Sequence, residues 1–220
     1  MAKVMVVGAN RGIGLELCRQ LNARGDEVIA TCRSPSPALE SLGVRVERGV
    51  DVTDDASVKA LVARLAGGAL DVLVINAGVL DNVSLSGLDF DSIRRQFEVN
   101  AIGPLRVAAA LAPNLHRGSK LAIVTSRMGS IADNGSGGHY GYRMSKAAAN
   151  MAGASLALDL KPGGVAVVML HPGFVRTDLT HGRGDCDPPV AARGLIERID
   201  QLTLETTGAF VHANGERLAW

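Results

Sequence analysis

The opening residues constrain this chain more than any others. Lys3-Val-Met-Val-Val7 is a short apolar run, followed at once by Gly8-Ala-Asn-Arg-Gly12-Ile-Gly14 and then by the apolar-periodic stretch Leu15 to Leu21. A valine-rich run without alternation reads as a strand buried on both faces, as in a parallel sheet, and the periodic stretch reads as a helix. The chain therefore begins strand, glycine turn, helix. Glycines let a turn bend tightly and approach a ligand closely, and a helix N-terminus presents free N–H groups to an anion such as a pyrophosphate. Gly8, Asn10, Arg11, Gly12, Ile13 and Gly14 are thus the first candidate binding residues. The spacing is G-x-x-x-G-x-G rather than the common G-x-G-x-x-G.

The same alternation continues. Further strands are expected near Glu27 to Thr31, Val44 to Glu47, Asp71 to Ile75, Lys120 to Thr125, Val165 to Leu170 and Thr207 to His212. A helical stretch follows each of the first six. This order implies right-handed crossovers and an α/β, doubly wound parallel sheet of about seven strands with helices on both faces. Ligands of such sheets bind beyond the carboxyl ends of the strands. With 220 residues, 47% hydrophobic and 20% charged, the chain can bury one full core, so a single domain over residues 1–220 is expected. Twenty-three basic and 22 acidic residues are interspersed, for a net charge of +1, which leaves no footprint for nucleic acid or an anionic membrane. No apolar run reaches the ~18 residues of a membrane span, and the first strand starts at Lys3, so a cytoplasmic location is expected. Cys18, Cys32 and Cys186 lack metal-ligand spacing and read as free thiols; no metal site is expected.

Tyr142 and Lys146 carry the chemistry. Their i, i+4 spacing puts both side chains on one helical face, about 6 Å apart along the axis. A free tyrosine titrates near pH 10, and a neighbouring ammonium is expected to lower that value, making the phenol a usable general acid or base. Tyr140 has the same residue type, but its i+4 neighbour is Met144, so it lacks the cation.

Taken together, the glycine turn and Tyr142-Arg-Met-Ser-Lys146 resemble the short-chain dehydrogenase/reductase family. Further matches lie in the right order: Asp51-Val52, Asn76-Ala77-Gly78, Asn100, Ser126, and Pro172-Gly173-Phe-Val175-Arg-Thr177. The tail Gly215-Glu-Arg-Leu-Ala-Trp220 is similar to that of small members related to the C-factor and sniffer carbonyl reductases. The resemblance covers nearly the whole chain. It implies a Rossmann-like domain, a homodimer or homotetramer, and a nicotinamide cofactor held by the glycine turn together with Asp51, Val52, Asn76, Ala77, Gly78, Tyr142, Lys146, Pro172, Gly173, Val175 and Thr177. It also implies a catalytic set of Asn100, Ser126, Tyr142 and Lys146. In that set Tyr142 passes a proton, Ser126 holds the substrate oxygen, Lys146 lowers the tyrosine pKa and holds the ribose, and Asn100 anchors a water. Asn100 can equally bend or cap its helix. Ser126 stands 16 residues before Tyr142, with Gly135-Ser-Gly-Gly138 as an apparent insert between them, and Ser130 is the alternative serine. The insert's glycines imply a mobile loop, which either lines and closes the substrate mouth or equally is a passive surface loop.

Cofactor choice is read at the end of the second strand, where NAD-preferring folds place an acid. Here the sequence is Thr31-Cys32-Arg33-Ser34, and an arginine fork suits a 2′-phosphate. With Arg11 as a second cation, NADP(H) is favoured over NAD(H). The expected reaction is hydride transfer between the cofactor and a small carbonyl or alcohol. Two alternatives use the same scaffold: a nucleotide-binding regulatory protein of the C-factor type, and a dehydratase or epimerase. The segment from Asp178 to about Pro189 takes the substrate-loop position and is short and polar, with His181 and Arg183 read as solvated. His171 is read as a packing residue.

Overall fold

A computed structural model describes residues 1–220. Its centre is one seven-stranded sheet in the order β3-β2-β1-β4-β5-β6-β7, every pair parallel. The strands are β1 (Lys3–Val7), β2 (Glu27–Thr31), β3 (Arg45–Glu47), β4 (Leu70–Ile75), β5 (Leu115–Val124), β6 (Ala166–His171) and β7 (Ala209–His212). Between them run α1 (Gly12–Ala23), α2 (Pro37–Glu40), α3 (Asp55–Leu65), α4 (Phe90–Phe97), α5 (Gly103–Leu111), α6 (Tyr140–Leu160) and α7 (Pro188–Asp200).

The unbroken apolar character of β1 has a direct cause. Val4 and Val6 enter a core shared with α1 and α7, whereas Met5 and Val7 enter a second core on the opposite face, against α3 and α5. Alternate side chains point to opposite faces, so a strand covered on both sides must be apolar throughout. No helix is long and apolar enough to cross a membrane.

All seven expected strands are present, β1 and β2 at their expected bounds and the other five with corrected ones. The largest correction is β5, which starts at Leu115 rather than Lys120, because its first half, His116-Arg-Gly-Ser119, is polar and joins β4 through a register shift. Helix α1 starts at Gly12, inside the glycine turn, rather than at Leu15.

One local irregularity matters for the site. Between α4 and α5 the residues Glu98–Ile102 form a π-helical segment, in which the Gly103 N–H reaches the Glu98 carbonyl five residues back. Pro104 has no N–H to offer the carbonyl four residues before it, that of Asn100, so the regular ladder cannot pass through this point. The bulge rotates Asn100 inward, where it is fully buried.

Candidate active site

Every candidate residue lies beyond the carboxyl ends of the strands. The β1 turn is held open by conformation and by contact. Gly8 and Gly12 have φ of 85° and 55°. Gly8 packs against the Ala77 backbone, where an added Cβ would lie 2.7 Å from its nitrogen. The Gly8 and Ala9 N–H groups donate to the Thr31 carbonyl, and the Asn76 amide donates to the Gly8 carbonyl at 2.9 Å. Asn76 therefore braces the turn. Helix α1 has no side chain capping its N-terminus, so the first-turn N–H groups at Gly12, Ile13 and Gly14 face outward without intrahelical partners. Asn10 Oδ1 is buried and also unpartnered. An uncapped helix start and a glycine surface fit the phosphate-bearing part of a dinucleotide, while the unpaired Asn10 acceptor suits a hydroxyl donor such as a ribose.

Across from this turn, the β6 loop closes the far side. Pro172 and Gly173 follow His171 directly, and Gly173 takes a φ of 95°. Val175 is buried and pairs with Cys186. The Thr177 methyl lies against Gly12, 3.3 Å from where a Cβ would stand. Arg11 reaches the same loop, its Nη1 3.0 Å from Asp178 Oδ2. Both groups are about 70% exposed, and such a pair contributes at most about 1 kcal/mol. Arg33, in contrast, is exposed at the end of β2, and its charge helps hold Asp51 below the usual carboxylate range. The main cause of that lowering is hydrogen bonding from the backbone and hydroxyl of Thr53. Beside Asp51, Val52 is buried, and its carbonyl accepts from Arg106 at 2.7 Å.

The catalytic candidates converge at the start of α6. Tyr142, Lys146 and Ser126 are 7%, 4% and 6% exposed. Lys146 Nζ lies 5.7 Å from the centre of the Tyr142 ring and donates to the Val124 carbonyl at 3.1 Å. Ser126, whose nearness to Tyr142 favours the ionised phenol, heads the short turn Arg127–Gly129 and accepts from the Met128 N–H at 3.1 Å. Ser130 is also buried, but its hydroxyl accepts from the Asp133 N–H and shapes the following loop. Both hydroxyls thus brace the turn that follows β5, and Ser126 is the one that influences the Tyr142 titration.

Burial sets the titration of this pair. It pushes Tyr142 up to about 12, with Ser126 opposing, and pulls Lys146 down to about 8. The expectation that Lys146 lowers the tyrosine is corrected here. The ammonium is turned to the strand end rather than to the phenol oxygen, and desolvation of both groups dominates.

Asn100 has a defined task in this geometry. Its Oδ1 accepts from the Val79 N–H, and its Nδ2 donates to the Val79 carbonyl and to Ser145 Oγ, at 2.8, 2.8 and 3.0 Å. Ser145 in turn donates to the Tyr142 carbonyl. The bulge therefore ties the Asn76-Ala77-Gly78 loop to the catalytic helix. Gly78 is the contact point, since a Cβ there would lie 3.3 Å from Asn100 Oδ1 and 3.5 Å from Lys146 Nζ.

Sequence reasoning missed several of these supports. Val79 acts through its backbone and Ser145 is one residue from Lys146, so neither stands out by type. Arg143 was also passed over. It donates to the Gly137 carbonyl and to Ser136 Oγ, at 3.1 and 2.8 Å, so the glycine insert expected to be mobile is tied to α6. His181 and Arg183 are exposed, as anticipated. His171 packs edge-on against His212 with ring centres 4.8 Å apart, and burial holds it down to about 3.

Residues 2–186 match the family model described as short chain dehydrogenase. The 1-hydroxy-2-glutathionyl-2-methyl-3-butene dehydrogenase of Rhodococcus sp. (strain AD45) is 50% identical over 226 residues, covering 100% of both chains. Among solved structures, the carbonyl reductase Sniffer of D. melanogaster superposes with a TM-score of 0.94 at 29% identity, covering 100% of both chains. An NADPH-bound carbonyl reductase from chicken fatty liver superposes at 0.91 with 30% identity, covering 100% of this chain and 99% of that one.

Proposed function

The chain belongs to the short-chain dehydrogenase family, and from that premise we propose that it is an NADPH-dependent oxidoreductase that interconverts a carbonyl and an alcohol. The observation that carries this reading is the convergence of buried Tyr142, Ser126 and Lys146 at the start of α6, with Lys146 Nζ 5.7 Å from the centre of the Tyr142 ring. A bound nicotinamide dinucleotide supplies the hydride in reduction and accepts it in oxidation. Tyr142 donates its proton to the developing alkoxide, and Ser126 stabilises the same oxygen by hydrogen bond. Lys146, held at the Val124 carbonyl, supplies positive charge beneath the pair and reaches the nicotinamide ribose. Asn100 keeps the Val79 backbone and α6 in register. The glycine turn would hold the pyrophosphate, and Asp51 and Val52 would complete the cofactor-binding set.

The proton has a definite direction in this site. A phenol held up near 12 stays protonated across neutral pH, which suits reduction. Alcohol oxidation needs the phenolate, so its kcat should rise steadily with pH from 7 to 10 while reduction stays level to about pH 8, where Lys146 begins to lose charge. Initial rates measured in both directions across that range check this.

For the substrate, the relative with 50% identity is named for a hydroxy compound bearing a glutathionyl group. We extend that class to this chain as the first to test: a primary alcohol, or its aldehyde, next to a bulky thioether. Fluorescence titration with NADPH and NADH, followed by aldehydes, ketones, quinones and a glutathionyl alcohol with oxidised cofactor, tests cofactor and chemistry together. Net change in cofactor redox state separates this reading from dehydration or epimerisation. Tight cofactor binding with no turnover on any of these substrates would favour a regulatory role.

Arg33 is the residue proposed to read the 2′-phosphate, being exposed at the strand end where that group would be recognised. Arg33→Asp should shift preference from NADPH toward NADH by about 10- to 100-fold, the equivalent of one charge-assisted hydrogen bond of about 1.5–3 kcal/mol. Equal ratios of kcat/KM for the two cofactors before and after the change would place recognition elsewhere.

A further inference from the structure

The last residues of the chain end beside the catalytic serine's turn. After β7 the chain reverses and runs back along that strand: Arg217 pairs antiparallel with Val211, the His212 N–H donates to the Glu216 carbonyl, and the Leu218 N–H donates to the Phe210 carbonyl. This covers the open edge of the sheet. Three further contacts then reach past the edge. The Trp220 ring stacks on buried Phe210, with centres 5.5 Å apart. The Trp220 carbonyl accepts from the Ala132 N–H at 3.0 Å. Glu216 Oε2 lies 2.5 Å from Nη2 of Arg127, the residue after Ser126.

The Trp220–Phe210 stack anchors the tail to β7, and beside it the last two of these contacts fall on a turn with little freedom of its own. Its residues are linked by the Gly129 N–H to the Ser126 carbonyl, the Met128 N–H to Ser126 Oγ, and the Asp133 N–H to Ser130 Oγ. Gly129 sits so close to α6 that a Cβ would lie 2.7 Å from the Lys146 carbonyl carbon. A turn wedged against the catalytic helix on one side and fixed to the tail on the other can shift only if one of them gives.

We propose that Glu216–Trp220 is a positioning element of the active site, holding the turn 126–133 so that the Ser126 hydroxyl stays aimed at Tyr142 and at the substrate oxygen. The catalytic consequence rests on the reductase reading above, whereas the mechanical claim does not. Displacements of the order of 1 Å in such a constellation cost about 100-fold in rate. Trp220→Ala, Glu216→Gln and deletion of residues 216–220 should therefore lower kcat by about 10- to 100-fold while the NADPH dissociation constant stays within about twofold. Trp220→Phe, which keeps a ring on Phe210, should restore most of the rate.

Hydrogen exchange at the Met128 amide reads the serine's hydrogen bond directly. It should quicken in the Ala, Gln and truncated forms and return to wild type in Trp220→Phe. Unchanged exchange at Met128 would overturn the proposal whatever the activity, as would quickened exchange with unchanged kcat. A lower melting temperature with neither effect would also overturn it, leaving the tail as an edge cover. If the wild-type protein turned over no carbonyl, the reductase reading would fall, and Met128 exchange would still decide whether the tail holds the turn.

Discussion

Tyr142→Phe is expected to lower kcat for carbonyl reduction by about 10²- to 10⁴-fold, the range lost with a positioned general acid. The change removes one oxygen and keeps the ring in its buried place, so the fold should be retained. NADPH affinity should be nearly unchanged, because the turn that holds the phosphates is built from the β1 loop and Asn76, independently of the phenol. Stopped-flow reduction rates alongside a fluorescence titration separate the two quantities. Turnover close to wild type would remove the tyrosine from the mechanism. A proportionate loss of cofactor binding would instead show that the hydroxyl organises the whole site.

Gly14→Ala should be the most damaging change to cofactor binding. Gly14 begins the packed part of α1, and an added methyl would stand 2.1 Å from the Gly8 carbonyl oxygen and 2.7 Å from Asn76 Nδ2. Neither neighbour can yield cheaply. The oxygen belongs to the backbone of the glycine turn, and the amide nitrogen is already bonded to that oxygen at 2.9 Å. Overpacking of this kind costs about 1–3 kcal/mol, and here the strain falls on the turn that presents its N–H groups to the pyrophosphate. NADPH affinity should drop by about 5- to 150-fold, with a lowered melting temperature that saturating cofactor only partly restores. Wild-type affinity in a folded Gly14→Ala protein would show that the turn is not the phosphate site. Gly25, with no atom within 4 Å of an added Cβ, is the matching control, although its φ of 91° makes a local strain cost expected there too.

What could be read along the chain was whatever recurs at short range. The two-sided burial of β1 is written in consecutive apolar residues, and the alternation of such runs with helical stretches specifies a parallel sheet because a strand-helix-strand unit returns in the same direction and the same hand. Glycines at 8, 12 and 14 stand out by their place between a strand and a helix, and the pair at 142 and 146 gains its meaning beside them rather than from its spacing alone. Ser126 was legible as a candidate from its place at a strand end, next to the buried runner-up Ser130. Other features depended on residues far apart in the chain. The polar first half of β5 gave no strand signal, since its register comes from β4. The bulge at Asn100 follows locally from Gly103-Pro104, but the amide's grip on Val79 and Ser145 is a meeting of three separate segments.

The sequence by itself thus determined the architecture, the strand-end location of the candidate site and the residue proposed as its acid, because periodicity and turn chemistry are local properties. Only the tertiary structure decided the electrostatics and the bracing. Burial that comes from packing α6 against the sheet holds Tyr142 up rather than letting Lys146 bring it down. In the same way, the tail that ends at Trp220 reaches Ala132 because β7 sits at the sheet edge beside β6, a neighbour relation that no stretch of sequence contains.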